Sequence, residues 1–167
     1  MIFVALGANL KTIRYGTVQN GLDAALGYLH SAGIRVINRS SWYRTAPMPI
    51  SDQPWYINGV ASIDCQFSAI ELMRKLLEVE SKFGRIRGVP NASRTLDLDL
   101  IDYNGVVTYS VGDDRFPSLQ LPHPRLSERG FVLIPLAEIE PKWRHPERPP
   151  PSRSSSPVPS PSHLPST

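Results

Sequence analysis

Leu96, Leu98 and Leu100 alternate with Asp97 and Asp99 in an unbroken period of two. That period belongs to a strand with one buried face, because helical apolar positions recur every three or four residues. The leucines must then face a core, and both carboxylates leave through the opposite face of the sheet. An apolar sheet face has to be covered, and two amphipathic segments are available to cover it. Val18, Leu22, Ala25, Leu26 and Leu29 recur at helical spacing until Gly33, a residue type that commonly stops helices. Ser68-Ala69-Ile70-Glu71 has the form of a capping box. It opens a second helix whose apolar face is Ile70, Leu72, Met73, Leu76, Leu77, Val79 and Phe83, ending at Gly84. Strands are expected over 2–8, 34–43, 56–65 and 96–102. The order β-α-β-β-α-β predicts an α+β, ferredoxin-like antiparallel sheet with helices packed on one face. Three prolines keep 45–55 irregular. Tyr103-Asn104-Gly105-Val106 predicts a hairpin that extends the sheet by a short strand or two, and a further helix fits 130–140.

Charge and composition narrow the function classes. The chain has 167 residues and a net charge of +3. Lys142, Arg144, Arg148 and Arg153 against Glu147 place that excess after Pro141, so the body is neutral. A neutral body is a poor generic nucleic-acid binder, since such affinity comes mainly from neutralising phosphates. No apolar run approaches the roughly 20 residues of a membrane span, and the N-terminal segment reads as a strand rather than a signal peptide. A cytoplasmic monomer that engages neither nucleic acid nor membrane is expected. Cys65 is the single cysteine, which excludes an internal disulfide and multi-cysteine metal sites. Residues 1–146 are expected to form one domain. Residues 147–167, rich in Pro and Ser, are expected to be a disordered tail. If a closing helix is missing there, an apolar patch near Trp143 should lie bare.

The outward acids carry the functional signal. Residues i and i+2 of a strand are about 7 Å apart, close enough for two carboxylates to share cations. A lone Asp-x-Asp pair is usually just the wet face of a strand. Here Arg85, Arg87 and Arg94 fall within a ten-residue span just upstream, and arginine outnumbers lysine fourteen to four. Mg²⁺ prefers one or two carboxylates plus phosphate oxygens, and arginine suits bidentate phosphate contacts. The combination points to phosphoryl chemistry.

Arg94-Thr95-Leu96-Asp97-Leu98-Asp99 and Pro122-His123 followed by Arg129-Gly130-Phe131 resemble the signatures of the 6-hydroxymethyl-7,8-dihydropterin pyrophosphokinase family. So do Gly7-Ala8-Asn9, Tyr43-Arg44-Thr45-Ala46-Pro47, Asp52-Gln53-Pro54 and Tyr56-Ile57-Asn58. The likeness runs from residue 2 to about 146. It implies transfer of pyrophosphate from ATP to the pterin hydroxymethyl group, with release of AMP, in folate biosynthesis. By the same resemblance, Asp97 and Asp99 would hold two Mg²⁺ ions, and Arg85, Arg94, Asp97 and Asp99 would be catalytic. Glu80, Arg85, Arg87, Arg94, the Leu100 backbone, His123 and Arg129 would bind ATP. Thr45, Met48, Tyr56, Asn58 and Phe131 would bind the pterin, with Tyr56 and Phe131 stacking on its ring. Asn91 stands where some members carry a tryptophan that seals the pterin site.

Three other classes share parts of this pattern. An RNA-recognition module has the same element order, but its third strand carries exposed aromatics, and Tyr56 to Ile63 lacks that run. A two-metal nucleotidyl-transfer enzyme would need domains that this length does not accommodate. A catalytically inactive small-molecule sensor would not require the intact acids.

Overall fold

The computed structural model describes residues 1–47, 49–84 and 95–147. Strand β1 (Ile2–Ala8) is buried at every position, because it has a strand on each edge and helices above both faces. It pairs antiparallel with β4 (Tyr56–Asp64) and with β5 (Asp97–Tyr103). Strand β2 (Arg35–Arg39) lies along the outer edge of β4, giving the order β2-β4-β1-β5. That is the ferredoxin-like order expected from the element sequence.

The predicted strand over 34–43 is two strands. After β2 the chain bends at residues 40–42, then pairs again with β4 as β3 (Tyr43–Thr45). Ser40 makes the bend: its backbone N–H donates to Val60 O at 2.9 Å, while its hydroxyl accepts from Val60 N–H at 2.9 Å. A side chain thus replaces one rung of the ladder.

Helices α1 (Val18–Ser31) and α2 (Ala69–Lys82) cover one sheet face. Leu22, Leu29, Leu72, Leu76 and Val79 meet Val4, Leu6, Leu98 and Leu100 there. The capping box forms as expected: Ser68 Oγ accepts from Glu71 N–H, and the Glu71 carboxylate accepts from Ser68 N–H at 2.8 Å. Helices do not sit on one face only. α3 (Gly130–Ile139) packs on the other, where Val132, Leu136 and the preceding Leu126 bury Phe3, Ala5, Val60 and Ile101. The reason is visible in β1, whose alternate residues are apolar on both sides and require two covers. Trp143 packs at the edge of this second cluster and donates its indole N–H to Asp102 at 2.8 Å. Trp143 is only partly buried there, and Ile134 on α3 is 61% exposed.

Strand β5 carries a bulge. Leu100 faces Val4 but Asp102 faces Phe3, so Ile101 is an extra residue. The turn after it forms as Asn104 (φ 52) and Gly105 (φ 72). It does not extend the main sheet, however. β6 (Thr108–Ser110) pairs with β7 (Leu119–Leu121) in a separate two-stranded sheet. The outer edge of β5 is already taken, because Leu98 N–H donates to Glu80 at 2.7 Å and Ile101 O accepts from His123 N–H at 3.0 Å.

Candidate active site

The site lies on the α3 face of the sheet, beyond the N-terminal end of α3. Strand register assembles its floor: Gly7 stands between Asn58 of β4 and Asp97 of β5, and Ala5 between Val60 and Asp99. Directly paired residues share a face, so Asn58, Asp97 and Asp99 rise on the same side. A shallow cleft opens above them, lined by Ala5, Gly7, Asn58, Asp97, Asp99 and Phe131, among others. Leu96, Leu98 and Leu100, which alternate with the acids, are buried in the opposite core, as their alternation required.

Each polar member is held from a different element. Asn58 is 7% exposed and donates from Nδ2 to Thr45 Oγ1 on β3 at 2.5 Å. Its Oδ1 lies over Gly7, where a Cβ would come within 2.7 Å. Only glycine leaves room for the amide at that height. Asp99 meets Arg129, Nη1 to Oδ2, at 3.3 Å. The same guanidinium lies 5.6 Å from the centre of the Phe131 ring, within the range of a cation–π contact. His123 follows the cis Leu121–Pro122 bond, and its Nδ1 accepts from Arg125 N–H at 3.2 Å. Burial first, then the Arg129 charge, push its imidazole down to about 4, against the opposing pull of Asp97. At neutral pH it is therefore uncharged. With Nδ1 accepting, the proton sits on Nε2, making His123 a neutral donor.

Glu80 and Leu100 occupy the outer edge of β5. Glu80 is 1% exposed and its Oε1 accepts from Leu98 N–H. The alternation of hydrogen-bond direction along a strand turns the Leu100 N–H and C=O to that same edge. Tyr56 stands one step from Asn58 on the same face of β4, opposite Thr45, and is half-buried. It does not line the cleft that Phe131 does, so the expected pair of rings is not closed. Met48, Arg85, Arg87 and Arg94 lie outside the described residues, as does Asn91.

Residues 3–141 match the family model described as 7,8-dihydro-6-hydroxymethylpterin-pyrophosphokinase. The chain belongs to this family. Among its curated relatives, a protein of Synechocystis sp. is 43% identical over 146 residues, covering 86% of this chain and 68% of that protein. One from Methylorubrum extorquens is 37% identical over 140 residues, covering 83% and 82%. One from Pseudomonas aeruginosa is 34% identical over 146 residues, covering 87% and 84%. All three are named 2-amino-4-hydroxy-6-hydroxymethyldihydropteridine pyrophosphokinase. The face that an RNA-recognition module would leave open is covered by α3, and Asn58, Val60 and Ser62 of β4 are buried on it.

Two arrangements escaped sequence reasoning. Asn9, 2% exposed, donates to Gln53 Oε1 at 3.2 Å and Pro54 O at 3.0 Å, tying the end of β1 to the Pro-rich loop. Glu138 on α3 accepts three hydrogen bonds from Ser41 and Tyr43. Partners separated by more than forty positions leave no periodic trace, although Asn9 and Gln53 both fall inside the motifs quoted above.

Proposed function

We propose that this member of the family transfers the β,γ-pyrophosphoryl group of ATP to 6-hydroxymethyl-7,8-dihydropterin, releasing AMP, for folate biosynthesis. One observation carries the reading: the cleft joins an amide and an aromatic ring to two carboxylates. A flat heteroaromatic needs a ring face and a few fixed polar groups. Asn58, pinned by Thr45, supplies a directed amide, and Phe131 supplies the face. Tyr56, which stands outside the cleft on the same face of β4, would come over the other side of the ring when the pterin binds, with Met48 completing the pterin contacts.

The acids suit a hard cation. Among the described residues no group of three or more His, Cys, Asp or Glu side chains is arranged to hold a metal. A two-carboxylate set is what Mg²⁺ uses when phosphate oxygens complete its shell. Asp97 and Asp99 would hold two such ions, which when bound supply charge neutralisation along the triphosphate. The chain's own residues do the rest. Arg129 exchanges Asp99 for a phosphate oxygen when nucleotide arrives, a charge-assisted bond in either state. His123, neutral, offers its Nε2–H without adding charge that must later be removed. Glu80 and the Leu100 backbone form the nucleoside edge, while Arg85, Arg87 and Arg94 engage the phosphates. Asn58 and Phe131 fix the pterin so that its hydroxymethyl oxygen points at Pβ. That oxygen bonds to Pβ, the bond from Pβ to the oxygen bridging Pα breaks, the hydroxyl proton is lost, and AMP departs.

We assign the activity to residues 1–146, acting as a cytoplasmic monomer, with 147–167 dispensable. No helix among the described residues is long and apolar enough to cross a membrane. The deciding assay incubates the protein with ATP, Mg²⁺ and hydroxymethyldihydropterin and scores AMP against ADP. AMP that forms only when pterin is present supports the assignment. ADP, or nucleotide turnover indifferent to pterin, overturns it.

A further inference from the structure

The two elements that bring Phe131 and Asn58 to the cleft are not neighbours in sequence, and something must set their separation. Phe131 rides on the first turn of α3. Asn58 is oriented by Thr45 on β3, the short strand that follows the Ser40 bend. Seven residues beyond Phe131, about 10 Å along the helix, Glu138 reaches that same bend. Its Oε2 accepts from Ser41 N–H at 2.8 Å and from Tyr43 O–H at 2.8 Å, and its Oε1 accepts from Ser41 Oγ–H at 2.6 Å. Both oxygens are used, on two residues of the segment that leads into Thr45.

We infer that Glu138 is a positioning residue for the pterin: it clamps β3 to α3 and thereby sets the distance between the amide and ring walls of the cleft. This rests on the pterin assignment of Asn58 and Phe131 above. The carboxylate does not line the cleft, so its action passes through Tyr43-Arg44-Thr45 on one side and through α3 on the other. The Glu138 carboxylate is exposed to solvent, and three further observations fit a clamp. Charge-assisted bonds at 2.6–2.8 Å are at the strong end of their range. Ser41 N–H lies where the β2–β3 strand is interrupted, so the ladder on β4 does not restrain it there. Tyr43 is paired directly opposite Asn58, which makes a shift of one a shift of the other.

The chemistry also defines a rescue. A glutamine at 138 can keep its oxygen on Ser41 N–H and Tyr43 O–H and place its NH₂ against Ser41 Oγ, since a hydroxyl accepts as well as donates. An alanine keeps none of these. Steady-state kinetics should therefore show Glu138→Ala raising KM for the pterin by about tenfold or more. KM for ATP should stay within about twofold on that scale, and Glu138→Gln should return pterin KM to near the wild-type value. Tyr43→Phe, which removes one bond of three and serves if the alanine variant does not fold, should give a smaller rise in pterin KM alone. Equal losses for both substrates, or an unchanged pterin KM in Glu138→Ala or Tyr43→Phe, would overturn the inference. A wild-type protein that makes no AMP from ATP and pterin would instead overturn the assigned activity.

Discussion

Gly7→Ala tests the floor of the cleft with a single methyl group. An added Cβ would stand 2.7 Å from Asn58 Oδ1 and 3.7 Å from Ile57 O. The backbone contact is ordinary; the amide contact is not. To reach normal van der Waals separation, Asn58 must retreat by roughly 0.7 Å, and it has little room. It is 7% exposed and holds Thr45 at 2.5 Å, so retreat stretches or breaks that bond. Overpacking of this kind costs about 1–3 kcal/mol, which for a domain of this size lowers Tm by roughly 2–10 °C. The effect on binding should be larger than the effect on folding. Misplacement of a positioning group by about 1 Å can cost up to 10²-fold, so pterin KM should rise by roughly 10- to 100-fold. Binding of a non-hydrolysable ATP analogue, measured by calorimetry, should be unaffected. A folded Gly7→Ala variant with wild-type pterin KM would show that the Asn58 amide does not fix the pterin, and the assignment of this cleft would fall with it.

Asp97→Ala and Asp99→Ala should each fold, since neither carboxylate lies in the core, yet lose roughly two or more decades in kcat at saturating Mg²⁺; retention of a third of wild-type activity would refute their role. Glu80→Ala leaves the buried Leu98 N–H without its 2.7 Å acceptor, a loss of about 1–3 kcal/mol that should appear in urea melts, while Glu80→Gln should recover most of it. The Glu138 carboxyl is held below its ordinary range chiefly by the Ser41 hydroxyl, then by Tyr43 and the Ser41 N–H. A depressed folded-state pKa stabilises above the unfolded carboxylate range and loses that stabilisation as pH falls through the lowered value. The Tm gap between wild type and Glu138→Gln should therefore narrow from pH 6 toward pH 3, and a constant gap would refute the clamp's charge dependence. A chain ending at Glu147 should keep wild-type kcat and KM for both substrates.

Where an element's pattern answers to one dominant force, the sequence predicts it well. Leu96, Leu98 and Leu100 alternate because one sheet face is apolar, and the structure buries all three on that face. Ser68 and Glu71 cap α2 through bonds confined to four consecutive residues, a range that pattern reading resolves. The same holds for Gly33, whose φ of 86 marks the end of α1. The departures occur where a distant group competes with local propensity. The apolar residues around Ser40 favour a continuous strand, but its hydroxyl offers Val60 N–H an alternative acceptor, and the strand breaks. Asn104-Gly105 makes its turn, yet the returning chain finds the β5 edge occupied by Glu80 and His123. In the site, Asp97, Asp99, Asn58 and Phe131 could be named because they sit in recognisable motifs. Glu138 could not, since its partners lie 97 and 95 positions away.

The bulge at Ile101 divides β5 into two strands of opposite phase. In the stretch before it, odd-numbered positions look toward α3 and even-numbered positions toward α1 and α2. After it the parity is exchanged: Asp102 looks toward Trp143 on the α3 side, and Tyr103 reaches the other layer, where its hydroxyl meets Phe67 O. A flat strand would aim the Asp102 carboxylate into the leucine layer and swing Tyr103 out of it. The extra residue therefore insulates two sets of demands that share one backbone. Positions 97–100 can answer to the proposed chemistry and positions 102–103 to closure of the domain, with neither constrained by the parity of the other. Deleting Ile101 would restore one unbroken alternation in which Asp102 and Tyr103 keep their present faces, but the two stretches would then share a single parity.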